Sequence, residues 1–326
     1  MAGAEEVVVS ATDLVVRFAN MRRLGGPDGG AAGLESVARD ADLERAPRMH
    51  DADFFRGRSG YQAEFLDDLP VPMPRNEGRW KGDEAPLVSG DGHELHYTNF
   101  SVVVSQTRRI ALYAACNIDG GASKRIRRTP DVWYYDGRIA LEHQVGEELY
   151  RDNELDRGHI VRREDPVWGR QSAKANADSF HFTNCAPQHS GMNQRTWLGL
   201  EDYILRNSRV HELKVNVFTG PVLREEDQVY RELPIPREYW KVVVMRTEER
   251  PSATAYMISQ GELIQDLEFT FGRYKTYQVA ITEIESLTGL VFGDLRRFDG
   301  FSNDGELEGV RRRPRHVLAS LDDIRV

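Results

Sequence analysis

The sequence predicts an α+β fold with a mainly antiparallel central sheet and flanking helices. Three observations predict it. β-rich runs recur at Phe100–Ser105, Ile110–Cys116, Val215–Gly220, Trp240–Met245 and Ala253–Ile258. Few helical patterns separate consecutive runs, which disfavours a doubly wound sheet of βαβ units. The first two runs are joined only by Gln106-Thr107-Arg108-Arg109, a hairpin spacing that puts an antiparallel pair at the front of the sheet.

Taken in order, the chain opens with Ala11, Leu14, Val15, Phe18 and Met21 at spacings of three and four, an amphipathic helix over residues 5–24. Gly25-Gly26-Pro27-Asp28-Gly29-Gly30 breaks it, and a second short helix is expected over 34–45. Residues 48–91 are polar, aromatic and punctuated by Pro70, Pro72, Pro74 and Pro86, so an irregular arm lying on the main domain is expected. The compact pattern begins near Gly92. Trp197, Leu200, Ile204 and Leu205 give helical spacing within Asn193–Asn207, and another helix is expected within Ile281–Thr288, ended by Gly289. This divides the chain into an N-terminal helical extension with a Gly-rich linker (1–47), the arm (48–91) and a main domain (92–326).

With 326 residues and an ordinary apolar fraction, the chain can bury a sizeable core. Two cysteines, Cys116 and Cys185, are too few for a disulfide framework and suit a reducing compartment, with Cys116 expected as a buried thiol. No apolar run reaches a membrane span and the acidic start has the wrong sign for a signal peptide, so a cytoplasmic protein without membrane contact is expected. A net charge of -9 argues against indiscriminate coating of nucleic acid. A basic cleft can nonetheless sit on an acidic body. Lys124-Arg125-Ile126-Arg127-Arg128, Arg162-Arg163 and Arg311-Arg312-Arg313-Pro314-Arg315 are the local clusters, each by itself ordinary solvated surface.

Two stretches concentrate groups suited to proton transfer, metal ligation and phosphate contact. The first is Asp156-Arg157-Gly158-His159. A histidine takes a proton near neutral pH when it is held beside an electrophile. Arg157 offers a planar fork for phosphate oxygens, Gly158 permits a backbone close to a turn, and Asp156 can hold a neighbouring group in place. The second stretch runs from Phe182 through Asn193 to Glu201. The amide oxygen of Asn193 suits a hard cation such as Mg²⁺, which keeps most of its waters. On a helix, Asn193, Trp197, Leu200 and Glu201 share a face, with Trp197 and Leu200 read as core. Asn193 and Glu201 stand roughly 12 Å apart along the axis, so Glu201 fits an outer-shell role through metal-bound water.

Asp156-Arg157-Gly158-His159, followed by Thr183-Asn184, Pro187-Gln188, Asn193-Gln194, Trp197 and Leu200-Glu201, resembles the DNA/RNA non-specific endonucleases of the ββα-metal superfamily. Looser likeness in Phe100-Ser101-Val102, Asn117-Ile118-Asp119-Gly120, Phe218-Thr219-Gly220-Pro221 and Glu285–Leu290 extends it over most of residues 92–300. The resemblance implies a ββα-metal nuclease fold and Mg²⁺-dependent hydrolysis of DNA and probable RNA substrates, with Mn²⁺ as a substitute and 5′-phosphate ends. It makes His159 the general base, Asn193 the direct metal ligand and Glu201 a holder of metal-bound water. Arg157 would contact phosphate, Asn184 would support the site beside Asp156, and Arg127, Arg128, Arg162 and Arg163 are candidate substrate contacts. It also implies a homodimer. Residues 1–47 match nothing in the family and are expected to restrain activity, mediate assembly or dock a regulator.

Two rival readings accompany this one. His181, Cys185 and His189 carry a thiolate and two imidazoles at even spacing, a set for a zinc-stabilised binding module, although Pro187 disrupts a helix that would align them. The nuclease fold could also persist as an inactive nucleic-acid or protein-binding module. Serine-hydrolase and nucleotide-hydrolase chemistry lack their motifs, a GxSxG elbow and a Gly-rich phosphate loop.

Overall fold

The computed structural model describes residues 47–190, 198–246, 251–261, 275–301 and 316–317. The expected helices over 5–24 and 34–45, the linker, Asn193, Trp197 and the Arg311–Arg315 cluster lie outside the described residues.

The strands are β1 (Met49–His50), β2 (Arg75–Asn76), β3 (Glu94–Tyr97), β4 (Phe100–Val104), β5 (Ala111–Asp119), β6 (Tyr135–Asp136), β7 (Leu155–His159), β8 (Cys185–His189), β9 (Lys214–Val222), β10 (Gln228–Tyr230), β11 (Leu233–Ile235), β12 (Glu238–Arg246), β13 (Pro251–Ser259), β14 (Lys275–Val279), β15 (Leu290–Val291) and β16 (His316–Val317). The α-helices are α1 (Glu147–Tyr150), α2 (Ser172–Asp178), α3 (Leu198–Val210) and α4 (Ile281–Thr288).

Eight strands form the central sheet in the order β16-β14-β13-β12-β9-β5-β4-β3, every neighbouring pair antiparallel. The β-rich runs read from the sequence are its strands β4, β5, β9, β12 and β13. They read as continuous apolar runs because the sheet is covered on both faces. Along β12, Trp240, Val242 and Val244 enter one apolar cluster, while Tyr239 and Val243 enter the other. The shorter strands β3, β14 and β16 carried too weak a pattern to be anticipated.

α3 lies on the second of these faces. Its Leu200 and Leu205 are buried with Ile118, Val215, Val217 and Val243, which agrees with Leu200 as a core residue. α4 ends as its sequence predicts: Gly289 adopts φ 73°, and its N–H closes the last turn on the Glu285 carbonyl. The segment 48–91 is tied into the core. Tyr61, Leu66 and Val71 are buried in it, Arg58 makes a buried ion pair with Asp178 at 2.9 Å, and β1 and β2 pair with β6 and β15.

Candidate active site

The first chemical stretch does not sit at a turn. Asp156-Arg157-Gly158-His159 is the end of β7, paired antiparallel with β8 in a separate two-stranded ribbon, so Gly158 is required for a different reason from the one its sequence context suggests. It faces Ala186 across the ribbon, and a Cβ at this position would stand 2.2 Å from Cδ of the buried Gln188 side chain. Glycine here makes room for a neighbour. The polar Asp156-Arg157-Gly158-His159 and the proline in Cys185–His189 hide the strands from propensity; pairing supplies what propensity withholds. The two strands of the ribbon are separated in the chain by α2, and α3 follows β8.

On a strand, residues two apart share a face, so Arg157 and His159 point the same way. The His159 ring stands 4.8 Å from the Trp133 ring and 5.3 Å edge-on from Phe180. The residue keeps some exposed surface, but its Nε2 is enclosed and has no hydrogen-bond partner among the described residues. Burial pushes the imidazole down to about 3; Asp131 opposes that shift, and Arg128, Arg163 and Arg162 add to it. The ring is therefore neutral at pH 7, with a nitrogen free to accept a proton. A phosphodiester beside it would add negative charge and raise its proton affinity.

Asn184, fully buried, holds the backbone that leaves β7. Its Oδ1 accepts from Val161 N–H at 2.8 Å, and its Nδ2 donates to the carbonyls of Val161 and Ser179, both at 3.0 Å. With its side chain spent on backbone, Asn184 acts on position. Arg157 pairs with Glu147, its Nε donating at 3.0 Å. Asp156 lies opposite Gln188 in the ribbon register. Arg127 is exposed, and Arg128 is largely exposed and pairs with Asp131 at 2.6 Å. Arg162 pairs with Asp202 of α3, and Arg163 contacts Glu164 at 2.6 Å and Asn176 at 2.9 Å. Of the four candidate substrate arginines, three thus lie within electrostatic reach of His159.

Glu201, in the first turn of α3, turns into the protein. Its Oε1 is 3.0 Å from Nζ of Lys241 on β12, an ion pair whose angle falls outside hydrogen-bond geometry. Asp165 is close enough to feel both charges. Burial raises its carboxyl to about 7, with Arg162 opposing and Glu201 reinforcing the shift. Neither Lys241 nor Asp165 was singled out from the sequence. A lysine inside an otherwise apolar strand was the available signal for the first; the second has none.

The zinc reading is corrected here. His181 bonds His50 Nδ1 and the Asp178 carbonyl, Cys185 donates to the Tyr150 hydroxyl, and His189 contacts Glu154. Strand pairing through β8 separates the three ligands, and among the described residues no three His, Cys, Asp or Glu side chains stand together as a metal-binding group. Cys116 and Cys185 are both free, buried thiols. No helix among the described residues is long and apolar enough to cross a membrane.

A family model described as DNA/RNA non-specific endonuclease matches residues 84–297. A Sinorhizobium fredii protein called uncharacterized protein y4fB is 38% identical over 293 residues, 83% of this chain and 44% of the relative. The chain thus spans less than half the length of that relative. A protein of Nostoc sp. named Nuclease is 29% identical, covering 66% of this chain and 78% of its own. Mitochondrial endonuclease G of Bos taurus is 24% identical, covering 49% and 55% respectively. Among solved structures, one described as the EndoG/EndoGI complex and the mechanism of EndoG inhibition shares the fold, at TM-score 0.53 and 19% identity over 71% of this chain and 97% of that one.

Proposed function

The chain belongs to the DNA/RNA non-specific endonuclease family, and from that premise we propose that it hydrolyses phosphodiester bonds of DNA and RNA without regard to sequence. The observation that carries the reading is His159: a neutral imidazole in an aromatic slot, its Nε2 without a partner among the described residues, beside guanidinium groups that attract phosphate.

In this mechanism His159 Nε2 takes a proton from water as the water oxygen attacks phosphorus. The P–O3′ bond breaks, leaving a 5′-phosphate and a 3′-hydroxyl after the departing oxygen is protonated. Arg157 exchanges Glu147 for a phosphate oxygen and stabilises the charge that gathers there. Asn184 keeps the backbone beyond His159 fixed, and Asp156 supports the same strand. Arg127, Arg128, Arg162 and Arg163 hold the flanking backbone, a grip that reads phosphate and ignores bases.

The side chains suit a hydrated hard cation. Such an ion needs only one or two protein oxygens, and the proposed donors are an amide and a carboxylate. Asn193 would hold it directly, with Glu201 acting through water. When bound, Mg²⁺, or Mn²⁺ in its place, offsets charge on the departing oxygen. A homodimer and a regulatory role for residues 1–47 complete the proposal; deleting 1–47 should change activity or oligomeric state, and an unchanged value of both removes that role.

Digestion of supercoiled plasmid and of single-stranded RNA, with Mg²⁺ or with EDTA, tests the reading on wild type, His159→Ala and Asn193→Ala. Cleavage is expected only from wild type with metal. Full activity in His159→Ala would falsify the base assignment, and an inert wild type in every divalent metal would favour a binding module.

A further inference from the structure

A lysine buried in a sheet is unusual, because its ammonium must be compensated where water cannot reach it. Lys241 is such a residue: it is 1% exposed, in the middle of β12, and every residue of that strand from Glu238 to Val244 is buried. Its Nζ donates to Thr219 Oγ1 of β9 at 3.1 Å and lies 3.0 Å from Glu201 Oε1. The sheet face it occupies also carries Tyr239 and Val243, which pack in the same cluster as Leu200 and Leu205 of α3. Leucine and valine contacts alone would seat that helix. They would leave its rotation about its own axis loosely set, because apolar packing is non-directional. An ion pair from the sheet to the first helical turn fixes that rotation.

We infer that Lys241 is a positioning residue for the candidate active site, acting through Glu201 to set the orientation of the first turn of α3. The inference rests on the nuclease reading, in which Glu201 serves the metal through water. Two features distinguish it from a stability role. A buried ion pair gives little net stability compared with apolar residues of similar volume, so stability is a poor reason to keep one. The pair also adds a directional contact to a helix that Leu200 and Leu205 already seat.

The test uses the full chain and the variants Lys241→Met and Lys241→Arg, with Mn²⁺ as the metal probe. Plasmid cleavage gives kcat and KM, and calorimetric titration gives Mn²⁺ affinity independently of turnover. Lys241→Met should lower kcat and weaken Mn²⁺ binding, each by about 10-fold or more, with KM for DNA within about two-fold. Lys241→Arg, which restores the charge, should recover part of both. Wild-type kcat and Mn²⁺ affinity in a folded Lys241→Met overturn the inference. Where Lys241→Met does not fold, Lys241→Gln, which keeps a hydrogen-bond donor without the charge, decides: folded with KM and kcat moved together, or with neither moved, it overturns the inference, and a selective fall in kcat with weaker Mn²⁺ binding supports it. A wild type that neither cleaves nor binds Mn²⁺ overturns the nuclease reading itself.

Discussion

Two histidines of this protein share burial and aromatic company and differ in what their nitrogens do. His181 is fully buried near Phe55, Tyr97 and His50, and both ring nitrogens are engaged, one by His50 at 2.9 Å and one by the Asp178 carbonyl at 2.9 Å. His159 lies between Trp133 and Phe180 with Nε2 enclosed and without a hydrogen-bond partner among the described residues. Burial lowers the proton affinity of both, to about 4 and about 3. A depressed imidazole is thus no mark of catalysis by itself. What separates the two is the nitrogen of His159 that has no partner among the described residues, the feature on which its proposed role as base rests.

The largest break in that comparison comes from truncating each ring. His159→Ala should lower kcat by about 10²–10⁴-fold while leaving the unfolding midpoint near wild type. His181→Ala should lower stability by about 1–3 kcal/mol in urea unfolding, because His50 and the Asp178 carbonyl lose their partner, with kcat per folded molecule unchanged. Equal loss of activity in the two variants would erase the distinction.

Acid sharpens it next. The unfolded chain binds a proton at each histidine near pH 6.5. Folded His181 does so only near 4, so the unfolded state holds more protons between these values and stability falls as pH drops through that window. By pH 4.5 the His181 share of the loss should reach roughly 2–3 kcal/mol, read as a lower urea midpoint than at pH 7. For His159 the readout is rate: the acid limb of kcat/KM should lie below pH 5, and that of kcat at higher pH because bound phosphate favours the imidazolium. Coincident limbs would argue against phosphate beside the ring.

Smaller effects probe the surroundings of His159. Gly158→Ala presses a methyl group into Gln188 and should cost about 1–3 kcal/mol of stability, measured by chemical denaturation. Glu147→Gln weakens a part-exposed pair with Arg157, so stability should move by less than about 0.5 kcal/mol. DNA affinity in low salt should rise, because Arg157 no longer has to leave a carboxylate.

The sheet was legible because β5, β9, β12 and β13 are long and apolar on both faces, and α4 because Ile281, Ile284 and Gly289 mark its face and its end. The site was legible as residue types in order, through a resemblance, and less so as geometry. Asp156–His159 and Cys185–His189 pair as strands against their local preferences, so the ribbon could not be read from either segment alone. Trp133 and Lys241 reach the candidate site from outside both chemical stretches, and Phe180 lies just ahead of the second. Pairing through β8 likewise scattered the evenly spaced His181, Cys185 and His189, a spacing that had looked like a ligand set.

The order in which the chain is synthesised gives the pair between Glu201 and Lys241 one further meaning. His159 and Glu201 both precede the strand that supplies the lysine. A nascent chain that already carries the chemical residues still lacks β12 and, with it, the lysine that faces Glu201. The contact between Glu201 and Lys241 therefore forms only after β12 has emerged and paired with β9.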